Sequence, residues 1–275
     1  MTKKYNWSTI AFFIVTTAGA LIGAPIYFFY YGVSGLDLLL FLFFIVLTGM
    51  SITAGYHRLF AHASYKANSL VRFLILFFGA AAFEQSALTW CSTHRDHHRH
   101  SDTDLDPYGI KKGFLYAHIG WMLFWRHEPD FSNVKDLSKD RMLNHQHRYY
   151  PVWAFVAGAL LPVGLGALSG HAVAALFLSV CVRVTLVHHA TFCINSLSHT
   201  FGKATYDSHT TARDSWLVAL LTNGEGYHNF HHSFPTDYRN GVRWYHWDPS
   251  KWAIAALAGL GLAWDLKRTP TLKRR

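Results

Sequence analysis

Charge is scarce in this chain. Lys, Arg, Asp and Glu together make up 15% of 275 residues, against roughly 25% in a typical soluble domain. So little charge cannot cover the chain with a water-facing surface. Acidic residues are the scarcest: Asp and Glu number 16, fewer than the 19 histidines. Only three cysteines occur, Cys91, Cys181 and Cys193, with no C-x-x-C pair. That excludes a zinc ribbon, a rubredoxin-like iron site and a disulfide framework, and leaves isolated buried thiols. No glycine-rich dinucleotide fingerprint is present. The formal charge of +9 lies on no basic stripe of a soluble module, so nucleic acid is not an expected partner. Such an excess instead fits cytoplasmic loops, anionic lipid headgroups or an acidic ligand.

Long apolar runs take the place of charge. Hydrophobic residues reach 51% and aromatics 16%. Lys3 and Lys4 precede an apolar run with no small-residue cleavage site, which reads as a retained span rather than a signal peptide. Four runs are long enough for the ~20 residues that a bilayer demands: about 9–31, 35–54, 151–169 and 172–194. They pair as two hairpins around turns that lack Lys and Arg. The basic residues lie at the other ends, including Lys267, Arg268, Lys273, Arg274 and Arg275. Both termini are therefore expected in the cytoplasm. The apolar segment 70–88 contains Arg72, Glu84, Gln85 and Ser86, which are costly at mid-membrane. It is expected not to cross. Arg183, inside the fourth span, should face protein. Residues 252–264 are too few to span and read as an interfacial helix. The expected architecture is a single-domain, all-α integral membrane protein of four transmembrane helices, with a cytoplasmic helical cap.

Histidine fills that cap. His94, His97 and His98 fall at i, i+3 and i+4, one face of a helix. His228, His231 and His232 repeat the spacing, and Asn195 and His199 stand at i, i+4. His57 and His62 are five apart, which shares no face on a regular helix. Either they serve different metals or the helix loosens there. Each cluster follows a span or a segment expected not to cross, so all share one side. Nine imidazoles exceed the four to six ligands of one ion, whereas two ions with four or five each fit. Imidazole suits iron, copper, zinc and nickel. Asp96, Asp102, Asp104, Asp106 and Glu225 are placed to accept imidazole N–H groups. Of the other histidines, His188 lies seven before Asn195 on the same face, where it would line a substrate path or support a ligand. His171, at the outer turn, is expected to be inert, and the rest to be solvated or hydrogen-bonded.

The stretches His57-Arg-Leu-Phe-Ala-His62, His94-Arg-Asp-His-His98, Asn195-Ser-Leu-Ser-His199 and Gly224-Glu-Gly-Tyr-His-Asn-Phe-His-His232 are specific in their order. With Ser233-Phe-Pro-Thr-Asp-Tyr238 and residues 113–121, they resemble the membrane-bound fatty-acid desaturases, in the acyl-CoA Δ9 (stearoyl-CoA-like) branch. The resemblance runs from about residue 36 to 252. It implies a di-iron enzyme that uses dioxygen and two electrons to place a cis double bond, expected at Δ9, in a saturated acyl chain. It makes all nine histidines iron ligands and brings Asn195 to a metal through water. The di-iron centre itself would be catalytic, with no protein nucleophile. Acyl-CoA members carry an Arg-Asp pair before the second histidine cluster, where this chain has Ser92-Thr93. Their basic pair before the equivalent of His127 is half kept as Trp125-Arg126. Arg126 is thus a candidate phosphate contact, and acyl groups on a carrier protein or a lipid stand beside acyl-CoA as substrates. Ile45 and Gly49, on the second span, are candidates for limiting channel depth. No haem-binding electron-transfer module is seen, so a separate ferredoxin or b-type cytochrome is expected as donor, docking on a basic face. A hydroxylase on the same scaffold is the enzymatic alternative. A non-enzymatic membrane metal or haem protein is the remote one.

Overall fold

The computed structural model describes residues 5–124 and 130–270. Among these, four helices are long and apolar enough to cross a membrane: α1 (Trp7–Tyr31), α2 (Gly35–Ala61), α7 (Tyr150–Leu168) and α8 (Ala172–His199). Between α2 and α7 lie β1 (Lys66–Ala67), α3 (Ser69–Ala80), α4 (Ala87–His100), α5 (116–124) and α6 (Arg141–Arg148). After α8 come α9 (Trp216–Leu221), α10 (His228–Ser233), α11 (Pro249–Gly259) and β2 (Ala263–Trp264). The described residues are thus mostly helical, with one small antiparallel pairing of Lys66 with Trp264 and Ala67 with Ala263 and isolated bridges of Asp214 to Lys203 and Tyr227.

Local chemistry sets the hairpins. Asn6 caps α1 by accepting from Thr9 N–H, and Gly32, at φ 72°, ends it. Ser34 and Asp37 form a capping box at the start of α2. His171, in the turn of the second hairpin, is not inert: its Nδ1 lies 3.0 Å from Asp37 Oδ1 and ties the two outer turns together. Side chains along the spans stay exposed, for example Phe29 at 83% and Leu21 at 69%. Such faces suit hydrocarbon rather than water, consistent with a multi-pass membrane protein.

The buried core gathers around the last turns of α2. Tyr56, Leu59, Leu76, Leu88, Leu143 and Ile254 pack together there from α2, α3, α4, α6 and α11. The segment 70–88 is not one helix. Its α3 has 12 residues, about 18 Å of rise against a hydrocarbon core of about 30 Å. The chain then reverses through Phe83 and Gln85, both at positive φ (58° and 74°), before Ser86 caps α4. Arg183 reaches this turn from α8. It is fully buried and donates to the carbonyls of Ala81 (2.7 Å), Gly158 (2.7 Å) and Ser179 (2.6 Å) and to Thr48 Oγ1 (3.1 Å). It therefore faces protein, as its cost in lipid requires.

Two boundaries differ from expectation. The second and fourth spans extend to Ala61 and His199, because polar residues at their ends pack into the cap instead of meeting water. The stretch 252–264 is not a single helix. Asp248 caps α11 from Pro249, α11 stops at Gly259, and Ala263–Trp264 becomes a strand. Ser250, Lys251 and Ile254 are buried, so one face of α11 packs on protein.

Candidate metal centre

The last turns of α2 are wide. His62 N–H bonds to the carbonyl of His57, five residues back, at 3.1 Å. A π-type turn carries about 4.4 residues, so it turns positions i and i+5 toward one face. His57 and His62 thereby meet the His94 and His98 of α4 and the His231 of α10. The offered nitrogens of these five all lie within 4.8 Å of one another. A second group collects His97, His199, His228 and His232 on the same criterion. Alternation on α4 and α10 divides the sets: His94 and His98 face one group and His97 the other, while His231 parts from His228 and His232.

The Nε2 atoms converge closely. His57 to His231, His98 to His231 and His228 to His232 are each 3.0 Å, His62 to His94 is 2.9 Å, and His97 to His232 is 3.3 Å. An imidazole nitrogen holds either one proton or one lone pair. It cannot satisfy two such neighbours, yet His231 and His232 each face two. A cation taking all the lone pairs resolves the conflict. Donors at right angles on an ion with metal–nitrogen distances of about 2.1 Å are about 3.0 Å apart, which is the spacing seen. His199 Nε2 is buried without a hydrogen-bond partner and is aimed into its group. The residues therefore fit two transition-metal ions.

The far sides of the rings are held by the cap. His57 Nδ1 meets Glu225 Oε2 at 2.9 Å, and His97 Nδ1 meets Asp106 Oδ1 at 2.9 Å. His199 Nδ1 lies 2.8 Å from Thr211 Oγ1, which in turn bonds Asp102. Asp96 instead accepts from Asn133, and Asp104 is exposed. Glu225 precedes His228 by three, the spacing of a carboxylate–histidine ligand pair, but its oxygens go to His57, Arg58 and Asn240 rather than into either group. Burial would raise its pKa, yet His57 and the buried Arg58 outweigh burial and bring it down to about 2. Burial, and then the neighbouring imidazoles, holds His62, His94, His98, His228, His231 and His232 well below the ordinary imidazole value. They are neutral at physiological pH, the form that binds metal.

Both groups border a cavity of about 580 Å³, lined on the metal side by His57, His94, His97, His228 and Asn195. Ile52, Trp90, Trp121, Phe192 and Ile194 also line it. His188 is on this wall, with Nε2 2.7 Å from the carbonyl of Ala82, and it joins neither histidine group. Ile45 and Gly49 are not on the wall. Their helix contributes Ile52 and Thr53 instead, while a Cβ on Gly49 would lie 2.8 Å from Asn223 Nδ2. Arg126 lies outside the described residues.

Sequence reasoning missed a polar cluster on the cavity wall. Glu84 accepts from Trp90 Nε1 (3.2 Å) and Thr191 Oγ1 (2.7 Å), and burial pushes its carboxyl up to about 7. Trp90 stacks on His94 with ring centroids 4.8 Å apart. Its position four residues before His94 was the available signal.

The fatty acid desaturase family model matches residues 36–265. The chain is 45% identical over 227 residues to a probable acyl-CoA desaturase of Schizosaccharomyces pombe, covering 81% of this chain and 47% of the relative. It is 41% identical over 256 residues to acyl-CoA desaturase 1 of Saccharomyces cerevisiae, covering 90% and 50%. It therefore spans about half the length of these two yeast relatives. Against the sn-1 stearoyl-lipid 9-desaturase of Anabaena variabilis, identity is 34% over 268 residues, covering 96% and 94%.

Proposed function

The chain belongs to the fatty acid desaturase family, and on that footing we propose that it is a dioxygen-dependent fatty-acyl desaturase that places a cis double bond at Δ9 of a saturated chain. One observation carries the reading: nine imidazoles gathered in two groups that border a largely apolar cavity. Removing hydrogen from an unactivated methylene needs a strong oxidant. Two iron ions held by the five-histidine and four-histidine groups would supply it with dioxygen and two electrons. Asn195, on the cavity wall, would reach a metal through water.

The protein's own part is positional. Glu225 and Asp106 fix the ring orientations of His57 and His97. Trp90, Phe192 and Ile194 exclude water and hold the chain beside the histidines. The yeast relatives' names support an acyl-CoA substrate, and the cyanobacterial relative's name supports a lipid-bound one. We favour acyl-CoA, with Arg126 as a phosphate contact. Electrons would come from a small ferredoxin or b-type cytochrome. His62, His98 and His232 are only half-buried and offer it an edge. Lys3 and Lys4 before α1 support a cytoplasmic site.

Expression in a host lacking desaturases, with double-bond positions mapped in its lipids, tests the reading. A Δ9-unsaturated product is expected. A hydroxylated product would move the assignment to the hydroxylase alternative. No oxidised product from an iron-loaded, electron-supplied enzyme would remove it.

A further inference from the structure

A second hollow lies outside the cavity wall. It is a groove of about 500 Å³ with Ile10, Ile14 and Leu21 of α1 on one side and Ile119 and Leu123 of α5 on the other. The backbone N–H of Asn6 donates to the carbonyl of Leu123 at 3.0 Å and ties the two sides at the rim. Ile14 and Leu21 are 63% and 69% exposed, so the groove opens outward along the face of a bilayer-length helix. From Ile10 to Ile22 it covers twelve residues of rise, about 18 Å.

Phe13 lies between this groove and the cavity. It lines the groove, and its ring meets the cavity-lining rings of His188 at 5.3 Å and Phe192 at 5.9 Å, both edge-on. Trp121, on the cavity side of α5, touches the same Phe192. The separation is therefore one aromatic layer deep. Edge-on ring contacts of this kind are weak enough for side-chain rotation to break them. Thr17 apart, the groove is walled by apolar side chains and offers a polar ligand little, whereas hydrocarbon is what surrounds a spanning helix.

We propose that the groove holds an acyl chain of the surrounding bilayer, and that Phe13 is the door through which that chain passes sideways into the cavity. The proposal rests on the cavity being the reaction chamber, as argued above. It adds a lipid-side route to that chamber, one on which none of the nine histidines lies.

Cross-linking tests it without relying on turnover. The full chain is placed in nanodiscs containing phosphatidylcholine with a diazirine on its sn-1 chain, irradiated, and its adducts mapped by mass spectrometry. In the unaltered protein, adducts are expected on Ile14 or Leu123 in the groove and on Ile194 in the cavity. Phe13→Trp should lower the ratio of cavity to groove adducts about tenfold, and Phe13→Ala should raise it, because the contacts at stake amount to one or two aromatic pairs. Should Phe13→Ala fail to fold, Phe13→Trp alone decides. Absence of cavity adducts in the unaltered protein, or a ratio indifferent to residue 13, would overturn the proposal. A protein that gave no unsaturated product would sink the assigned activity, while the adduct ratio would still decide the route.

Discussion

Glu84→Gln isolates an acidic side chain on the cavity wall in which burial outweighs the opposing bonds. Its carboxyl is pushed up to about 7 from 4.5, first by burial, with the bonds from Thr191 and Trp90 opposing. A carboxyl whose folded pKa exceeds its unfolded value binds more protons folded than unfolded between those values. Stability is therefore lost as pH rises from about 4.5 through about 7. A shift of this size corresponds to about 3 kcal/mol at pH 8, at about 1.4 kcal/mol for each pH unit. Glutamine removes that cost while keeping the shape: its oxygen accepts from Trp90 and its amide donates to the Thr191 hydroxyl. At pH 8 the variant should melt about 6–12 °C above the parent, taking about 2–4 °C per kcal/mol for a chain of this size. The gain should shrink steadily as the pH is lowered to about 5.5. Scanning calorimetry of the chelated protein in detergent reads this directly, because bound cations would themselves draw the carboxyl down. A gain that is the same at both pH values, or a variant less stable at pH 8, would refute the reasoning.

Other expectations follow from the same geometry. Glu225→Gln leaves Arg58 its bonds to Asp248 and to the carbonyl of Tyr238, but weakens the hold on His57. Metal affinity of the five-histidine group should fall about 10- to 100-fold while the other group keeps its ion; equal loss from both, read by metal analysis after gel filtration, would contradict this. Arg183→Met strips donors from three carbonyls and Thr48. With each buried acceptor costing about 1–3 kcal/mol when left unpaired, the melting point should drop by at least about 8 °C, and an unchanged melting curve would show that Arg183 does not hold the 81–86 turn. The six cap imidazoles titrate lower folded than unfolded. The unfolded chain thus binds more protons below about 6.5, so the chelated protein should lose stability as pH falls through that value and keep it between about 7 and 8. A melting point that rose on acidification would contradict the neutral-imidazole reading.

The histidines were legible because metal ligation demands particular side chains at particular spacings, and both demands are written locally. The i, i+3, i+4 pattern on α4 and α10 needs only helical geometry. The spans were legible for a similar reason: a bilayer imposes a length and an apolarity that no packing detail can waive. The pairing of His57 with His62 was left open, because the regular helix separates positions five apart and only the widened turn of α2 brings them together. Ile45 and Gly49 were plausible wall residues by helical face. Which face of α2 meets the cavity, however, depends on α9–α11 and Asn223, which are far away in sequence. The same holds for Glu84. In the sequence its charge spoke against a membrane crossing. Its bonds to Trp90 and Thr191, and its place on the cavity wall, required α4 and α8 to pack against the turn that Arg183 and His188 hold. Composition and spacing thus determined the chemistry and the side on which it gathers. Tertiary packing alone decided how nine imidazoles divide into two groups, which acids hold them, and what lines the space beside them, because those contacts join residues that no local periodicity relates.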